Sequence, residues 1–287
     1  MNLREADVIC RFGKPREWSI CAAMSKTLKA ALTSGALTDI LADIAEDAAR
    51  VILPFWRAAA TEVQTKADDS PVTLADQQAE ALILERLRAA WPGVQTVAEE
   101  AVAADGAPAA AEDWFWLIDP LDGTKGFVRG GEAFTVNIAL IHDRRPVAGV
   151  VSAPATGVTW ASGVRGGRTV ALRRLFGEAW RPISVRPRPD QPSALLSHSV
   201  RDDEAARLIA RHGCALWQGM DSSLKFCLIA EGRFDAYPRT GPTSEWDTAA
   251  GQAVLEAAGG RVLGEDGNPL AYGKPRFLNG PFVALGG

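Results

Sequence analysis

Between Leu37 and Phe55 the apolar residues fall at Ile40, Leu41, Ile44, Ala48, Val51 and Ile52. Those three- and four-residue steps predict an amphipathic helix lying on a larger body, with Pro54 straining its last turn. Lys66 to Pro71 reads as a polar turn, because Pro71 and its neighbours break the periodicity. A second helix is predicted over about 75–90, with Ala79, Leu82, Ile83 and Leu87 on one face and Pro92-Gly93 as its stop. Beyond Glu100 the pattern changes. The alanine-rich stretch 101–111 reads as an exposed loop, and 114–118, 135–141 and 147–151 are β-branched and aromatic runs that suit strands. Residues 163–192, rich in Gly, Arg and Pro, predict a hairpin and a crossing into a second half. There, strands near 194–197, 215 and 234–237 alternate with helices near 201–211, 223–231 and 248–258. That alternation predicts α/β layering.

Composition narrows the picture. The 287 residues are 47 % hydrophobic and 23 % charged, enough to bury a real core. Lys+Arg 31 against Asp+Glu 35 gives a net charge of −4, which argues against a protein that grips nucleic acid polymers or acidic membranes through bulk charge. No run approaches the roughly 18 apolar residues that span a bilayer. Cys10, Cys21, Cys214 and Cys227 form no metal knuckle or redox pair, which points to a reducing cytoplasm. Residues 1–34 lack the apolar stretch of a secretory signal and read as a loose extension, with Met24 a plausible alternative start.

Three separated acidic clusters carry candidate chemistry. Glu99-Glu100 ends a predicted strand, Asp119-Pro-Leu-Asp-Gly-Thr124 follows the apolar run Trp114 to Ile118, and Glu245-Trp-Asp247 leads into a helix. Each has an ordinary reading: a solvated pair, a hairpin turn at Asp122-Gly123, and a helix N-cap at Asp247. The second resists its ordinary reading best, because Asp119 emerges at the carboxyl end of a buried strand, where α/β sheets place ligands. Carboxylates plus the Leu121 carbonyl form a ligand set for Mg²⁺ or Mn²⁺, whereas zinc prefers His or Cys, and the three histidines are scattered. Carboxylates brought together repel without a cation. Two divalent ions about 3.5–4 Å apart would relieve that and clamp a phosphate. Gly123, Thr124 and the start of the Thr248 helix offer backbone N–H groups to its oxygens.

Glu99-Glu100, Asp119 to Thr124 and Trp246-Asp-Thr-Ala-Ala250, in this order, resemble the lithium-sensitive, Mg²⁺-dependent phosphatases of the inositol monophosphatase superfamily, over residues 37–282. Lys66 to Thr73, Asp122 to Phe127 with Phe134 to Ile141, and Ser222 to Gly232 with Tyr237 to Arg239 and Gly241 to Thr243 resemble its bacterial 3′(2′),5′-bisphosphate nucleotidases. Inositol phosphatases tend to have Thr-Asn-Phe where this chain has Lys125-Gly126-Phe127. Lys125-Gly126 also departs from the Lys-Glu of some bacterial relatives, and Ser244-Glu245 varies before the tryptophan. Neither departure touches a proposed ligand.

The resemblance implies a layered αβαβα sandwich of the α/β class. Residues 35–165 would form a metal-binding domain of two helices on a largely antiparallel sheet, and 170–287 a smaller α/β domain completing the site. It implies two or three Mg²⁺ per site, with Mn²⁺ as an alternative. Glu99, Asp119 and the Leu121 carbonyl would ligate the first ion, and Asp119, Asp122 and Asp247 the second. Thr124 and Asp76 would form the dyad that orients and deprotonates the attacking water, where Asp76 alone reads equally as a helix-start carboxylate. The substrate would meet Glu99, Leu121, Asp122, Gly123, Thr124 and Asp247 on one side, and Ser222, Lys225 and Arg239 on the other. Lys225 and Arg239 also read as a solvated helix side chain and a loop charge. His198 reads either as a nucleotide contact or as a surface histidine, and Glu100, Phe127 and Trp246 as structural.

The implied reaction is hydrolysis of the 3′-phosphate of adenosine 3′,5′-bisphosphate, a by-product of sulfate assimilation, to AMP and phosphate. Phosphatases of inositol 1-phosphate, histidinol phosphate or fructose 1,6-bisphosphate are the alternatives. The partner is a small phosphorylated nucleotide, acted on in the cytoplasm by a monomer or homodimer. Loose attachment to the inner membrane face is compatible with the resemblance.

Overall fold

The computed structural model describes residues 26–56, 63–65 and 71–287, with backbone alone at 63–65 and 71–73. Cys10, Cys21 and Met24 lie outside these residues, as does the predicted turn except for Pro71. Residues 26–34 are helical and Leu28 is 1 % exposed, so this part of the expected loose extension belongs to the core.

Helix α1 (Ala36–Ile52) is followed by the short hairpin β1 (Val63–Thr65) and β2 (Pro71–Thr73), then by α2 (Leu74–Ala90). Strand β3 (Gln95–Ala98) runs into α3 (Glu99–Asp105), a helix where the sequence predicts loop. After β4 (Trp114–Asp122) comes the short helix α4 (Thr124–Val128). The sheet then continues through β5 (Thr135–His142), β6 (Arg145–Ala153), β7 (Val158–Arg165), β8 (Arg168–Leu175) and β9 (Arg181–Ile183). These seven strands, β3 to β9, lie side by side in chain order, antiparallel except for β3–β4. The sheet therefore passes residue 165 and ends at Ile183, because β7 and β8 pair along their whole length.

The second half begins with β10 (Ser193–Leu196), α5 (Asp202–Arg211), β11 (Leu216–Gly219) and α6 (Leu224–Ala230). It continues with β12 (Ala236–Arg239), the short β13 (Thr243–Ser244), α7 (Ala249–Ala257) and β14 (Arg261–Gly264), and closes with β15 (Leu278–Asn279) and β16 (Phe282–Leu285). Its five-stranded sheet has the order β11-β10-β12-β16-β14.

Alternation along β4 sorts the core. Trp116 and Ile118 pack toward α1 and α2, while Phe115 and Leu117 face the layer of α6 and α7, whose other side meets Tyr237, Val262 and Phe282 of the second sheet. Fully burying a side chain of this size is worth about 1.5–3 kcal/mol. A one-residue slip would turn every one of them to the wrong face, so the register is fixed. Helix α5 packs outside the second sheet through Leu196, Ala205 and Leu208. The layers are α1–α2, large sheet, α6–α7, small sheet, α5: the αβαβα sandwich the resemblance implies. At Gly149 on β6 the sheet approaches α7 so closely that a Cβ would sit 2.7 Å from Ala253 Cβ and 2.8 Å from the Ala250 carbonyl oxygen.

Candidate active site

The large sheet delivers carboxylates at one end. The β4–β5 pairing runs in step from Trp114 to Asp119, opposite Asn137, and then shifts register before Asp122. Pro120 sits at that irregularity, where a strand tolerates a missing N–H. The Asp119 carboxylate accepts the Leu121 N–H at 3.1 Å, and the Thr124 hydroxyl donates to the Leu121 carbonyl at 2.9 Å. Gly123 then takes a left-handed φ of 95°, and a Cβ there would lie 2.7 Å from the Ala133 carbonyl oxygen. Only glycine fits. The chain enters α4 here, so Asp122-Gly123 does not form the hairpin turn of its ordinary reading.

Two more acids come from α2. Asp76 and Glu80, one turn apart, are buried with Ala79, Ile83 and Leu87. The Glu80 carboxylate accepts the backbone N–H of Glu100 at 2.7 Å and of Ala101 at 2.8 Å, which caps α3 from outside and sets Glu99 at its first turn. This long-range cap explains the missed helix. Burial raises the Glu80 pKa to about 7 against those bonds, which lower it.

The second half supplies the opposite charge. Lys225 lies on α6 with its ammonium inside, donating to the carbonyls of Ser222 at 2.6 Å and Met220 at 3.2 Å and resting 4.8 Å from the Tyr237 ring centroid. It is 4 % exposed, so it is not a solvated helix side chain. Burial lowers its pKa to about 8, opposed chiefly by the charge of Asp122. Arg239, ending β12, donates to the Ser197 hydroxyl at 2.5 Å and to the Gly241 carbonyl at 3.2 Å. Ser222, with φ 61°, is held in a left-handed turn that disfavours a side chain by about 1–2 kcal/mol. His198, although exposed, lines the pocket and pairs through Nδ1 with Asp221 at 3.0 Å.

Both sets meet in one cavity of about 620 Å³, whose wall includes Asp122, Thr124, Ser222, Lys225, Arg239 and Asp247. Asp247 does not cap α7. Its carboxylate turns back to accept the Ser244 N–H at 2.9 Å, and Thr248 occupies the cap position. Its neighbour Glu245 stays out of the site, binding the backbone of Gly273 and Lys274 and the Lys274 ammonium at 2.6 Å.

Electrostatics ties the acids together. Asp119, 1 % exposed, is pushed well above the carboxylate range by burial, then by the charges of Glu99, Asp122, Asp247 and Asp76. Asp247 is pushed up by burial, then by Asp122 and Glu99. Asp122 is raised by burial against the lowering effects of Lys225, Ser223 and Asn137. Acids in one field, without His or Cys, are a donor set for a hard divalent cation rather than zinc. Among the described residues, no three His, Cys, Asp or Glu side chains are already gathered about one coordination point. The donor chemistry fits Mg²⁺.

The structure thus puts Asp119 in the field of Asp76, Glu99, Asp122 and Asp247, and lines the cavity with Asp122, Asp247, Ser222, Lys225 and Arg239. Sequence reasoning passed over Glu80, Asn137 and Ser223. For Glu80 a signal existed: it stands four residues after Asp76, on the face of Ala79, Ile83 and Leu87. No helix among the described residues is long and apolar enough to cross a membrane.

Comparison with known proteins agrees with this architecture. The chain is 43 % identical over 235 residues to the 3′(2′),5′-bisphosphate nucleotidase CysQ of Salmonella typhimurium, covering 77 % of this chain and 87 % of that one. It is 39 % identical over 261 residues to CysQ of Escherichia coli O157:H7, covering 86 % and 98 %. The crystal structure of CysQ from Bacteroides thetaiotaomicron, a bacterial member of the inositol monophosphatase family, superposes with a TM-score of 0.70 at 32 % identity, covering 86 % of this chain and 97 % of that one. With the inositol monophosphatase family model matching residues 35–284 as well, the chain belongs to the inositol monophosphatase family.

Proposed function

We propose that this chain is a Mg²⁺-dependent phosphatase that removes the 3′-phosphate of adenosine 3′,5′-bisphosphate, leaving AMP and inorganic phosphate. One observation carries the reading: a buried lysine and an arginine face a set of carboxylates across a single cavity of about 620 Å³. One side suits the phosphate being cleaved and the other a second phosphate on the same molecule. The CysQ relatives, named as 3′(2′),5′-bisphosphate nucleotidases, support it.

Glu99, Asp119, the Leu121 carbonyl, Asp122 and Asp247 would hold the ions, two or three Mg²⁺ or Mn²⁺, which when bound neutralise these acids and draw charge from the phosphate under attack. The protein's own groups do the rest. The Thr124 hydroxyl, poised beside the Leu121 carbonyl, orients the attacking water with Asp76 as the final proton acceptor. Gly123 and Thr124 present backbone N–H groups to phosphate oxygens. Lys225, Arg239 and the Ser222 hydroxyl grip the phosphate that stays. The site works on a small nucleotide in the cytoplasm, consistent with Cys214 and Cys227 being free and buried.

The test is phosphate release from adenosine 3′,5′-bisphosphate, inositol 1-phosphate, histidinol phosphate and fructose 1,6-bisphosphate, with and without Mg²⁺. The bisphosphate nucleotide should turn over fastest, and only with the ion. A preference for any of the others, or turnover indifferent to Mg²⁺, overturns the assignment.

A further inference from the structure

Asp122 is held from both halves of the molecule at once. Its Oδ2 accepts the backbone N–H of Ser223 at 2.6 Å and the side-chain amide of Asn137 at 3.4 Å. That amide also donates to the Ser223 hydroxyl at 3.1 Å, which in turn donates to the backbone carbonyl of Asp247 at 2.7 Å. Asn137 and Ser223 are each 1 % exposed. Asn137 sits on β5 opposite Asp119, and Ser223 sits at the N-cap of α6, immediately after the left-handed turn at Ser222. Among the described residues, Oδ1 of Asp122 takes no hydrogen bond from the protein.

We propose that Asn137 and Ser223 are positioning residues that clamp Oδ2 of Asp122 and the backbone of Asp247. They present the free Oδ1 to the cation and lock the second half onto the carboxylate end of the large sheet. The arrangement is specific. The Ser223 backbone N–H and the Asn137 amide saturate one carboxylate oxygen and steer the other, and the Ser223 hydroxyl links that amide to the neighbouring acid's main chain. A carboxylate with both oxygens free would swing, and each ion would have to be captured against that motion. This inference rests on the cation role proposed for Asp122 and Asp247, and its test keeps the two apart.

Mg²⁺ binding to the substrate-free protein is measured by calorimetry for wild type, Ser223→Ala, Ser223→Thr and Asn137→Ala, with kcat and KM measured at saturating Mg²⁺. The loss of outer hydrogen bonds of this kind weakens metal binding by about 10- to 100-fold. Ser223→Ala and Asn137→Ala should therefore weaken Mg²⁺ binding by about tenfold or more, with KM for the nucleotide nearly unchanged once the ion saturates. Ser223→Thr, which keeps the hydroxyl, should restore most of the affinity. Wild-type affinity in both alanine variants, or a threonine variant no better than alanine, overturns the clamp. If Asn137→Ala does not fold, the Ser223 pair decides alone. A wild type that binds Mg²⁺ but leaves the nucleotide intact defeats the proposed reaction and leaves the clamp standing, whereas a wild type that binds no Mg²⁺ defeats both.

Discussion

The two halves face one pocket with different charged groups and different construction, although the second half also lends an acid, Asp247. The large sheet brings its acids on rigid elements: Asp119 and Asp122 at a strand irregularity, Asp76 in a helix and Glu99 on a helix capped by Glu80. The second half brings Lys225 and Arg239 on short elements, tied mostly to backbone carbonyls and one hydroxyl. The difference suggests a division of labour. On the proposed function, the acidic wall would serve chemistry common to many phosphate esters, and the basic wall would read what else the molecule carries, one face governing turnover and the other choice.

The comparison breaks most sharply at Asp119. Asp119→Asn should lower kcat by about 10³-fold or more on every phosphate ester, because it removes a charge that the proposed site gives to both ions. Near-normal phosphate release from this variant would end the division of labour. Lys225→Ala should raise KM for adenosine 3′,5′-bisphosphate by about 10- to 100-fold, the scale of a lost charge-assisted hydrogen bond of about 1.5–3 kcal/mol. The same variant should leave a simple monoester nearly untouched, and equal losses on both would show that the basic wall does not choose. Glu80→Ala should destabilise the fold by about 1–3 kcal/mol, read as a lower urea midpoint, because two backbone N–H groups lose their buried acceptor.

The smallest effect concerns pH. Folding raises the pKa of Asp119, Asp122 and Asp247, and that of Glu80 from 4.5 to about 7. A carboxyl with a raised folded pKa stabilises the fold below its unfolded value and loses that contribution as pH climbs through the folded value. The cation-free protein should therefore melt at a falling temperature from about pH 5 to about pH 8, and Mg²⁺ should raise the Tm more at the upper end, where no protons need displacing. A Tm that rises over this window without the ion contradicts the sign.

Much of the acidic wall was legible because local chemistry wrote it. An apolar run ending in Asp-Pro-Leu-Asp-Gly announces a buried strand that stops at a polar site, and the structure puts Asp119 there. What stayed hidden depends on partners distant in sequence. Glu99–Asp105 looked like loop because its cap, Glu80, lies on another helix. Asp122-Gly123 carried a hairpin signal, but the space beside Ala133 and the left-handed φ turn the chain into a helix instead. Strands β14 and β16 are short, and they exist through pairing, β14 with β16 and β16 in turn with β12. Lys225 read both as a phosphate contact and as a solvated helix side chain, because helix periodicity cannot tell an outward face from one covered by a second sheet.

Gly149 gives the large sheet a reach beyond its own edge. Helix α7, which begins two residues after Asp247, presses on that glycine with no room for a methyl group. The standoff between helix and sheet is thus set by a single hydrogen atom, in the middle of the core and outside the pocket wall. An alanine there would force helix and sheet to shift apart, a change that reaches the segment carrying Asp247 from outside the pocket.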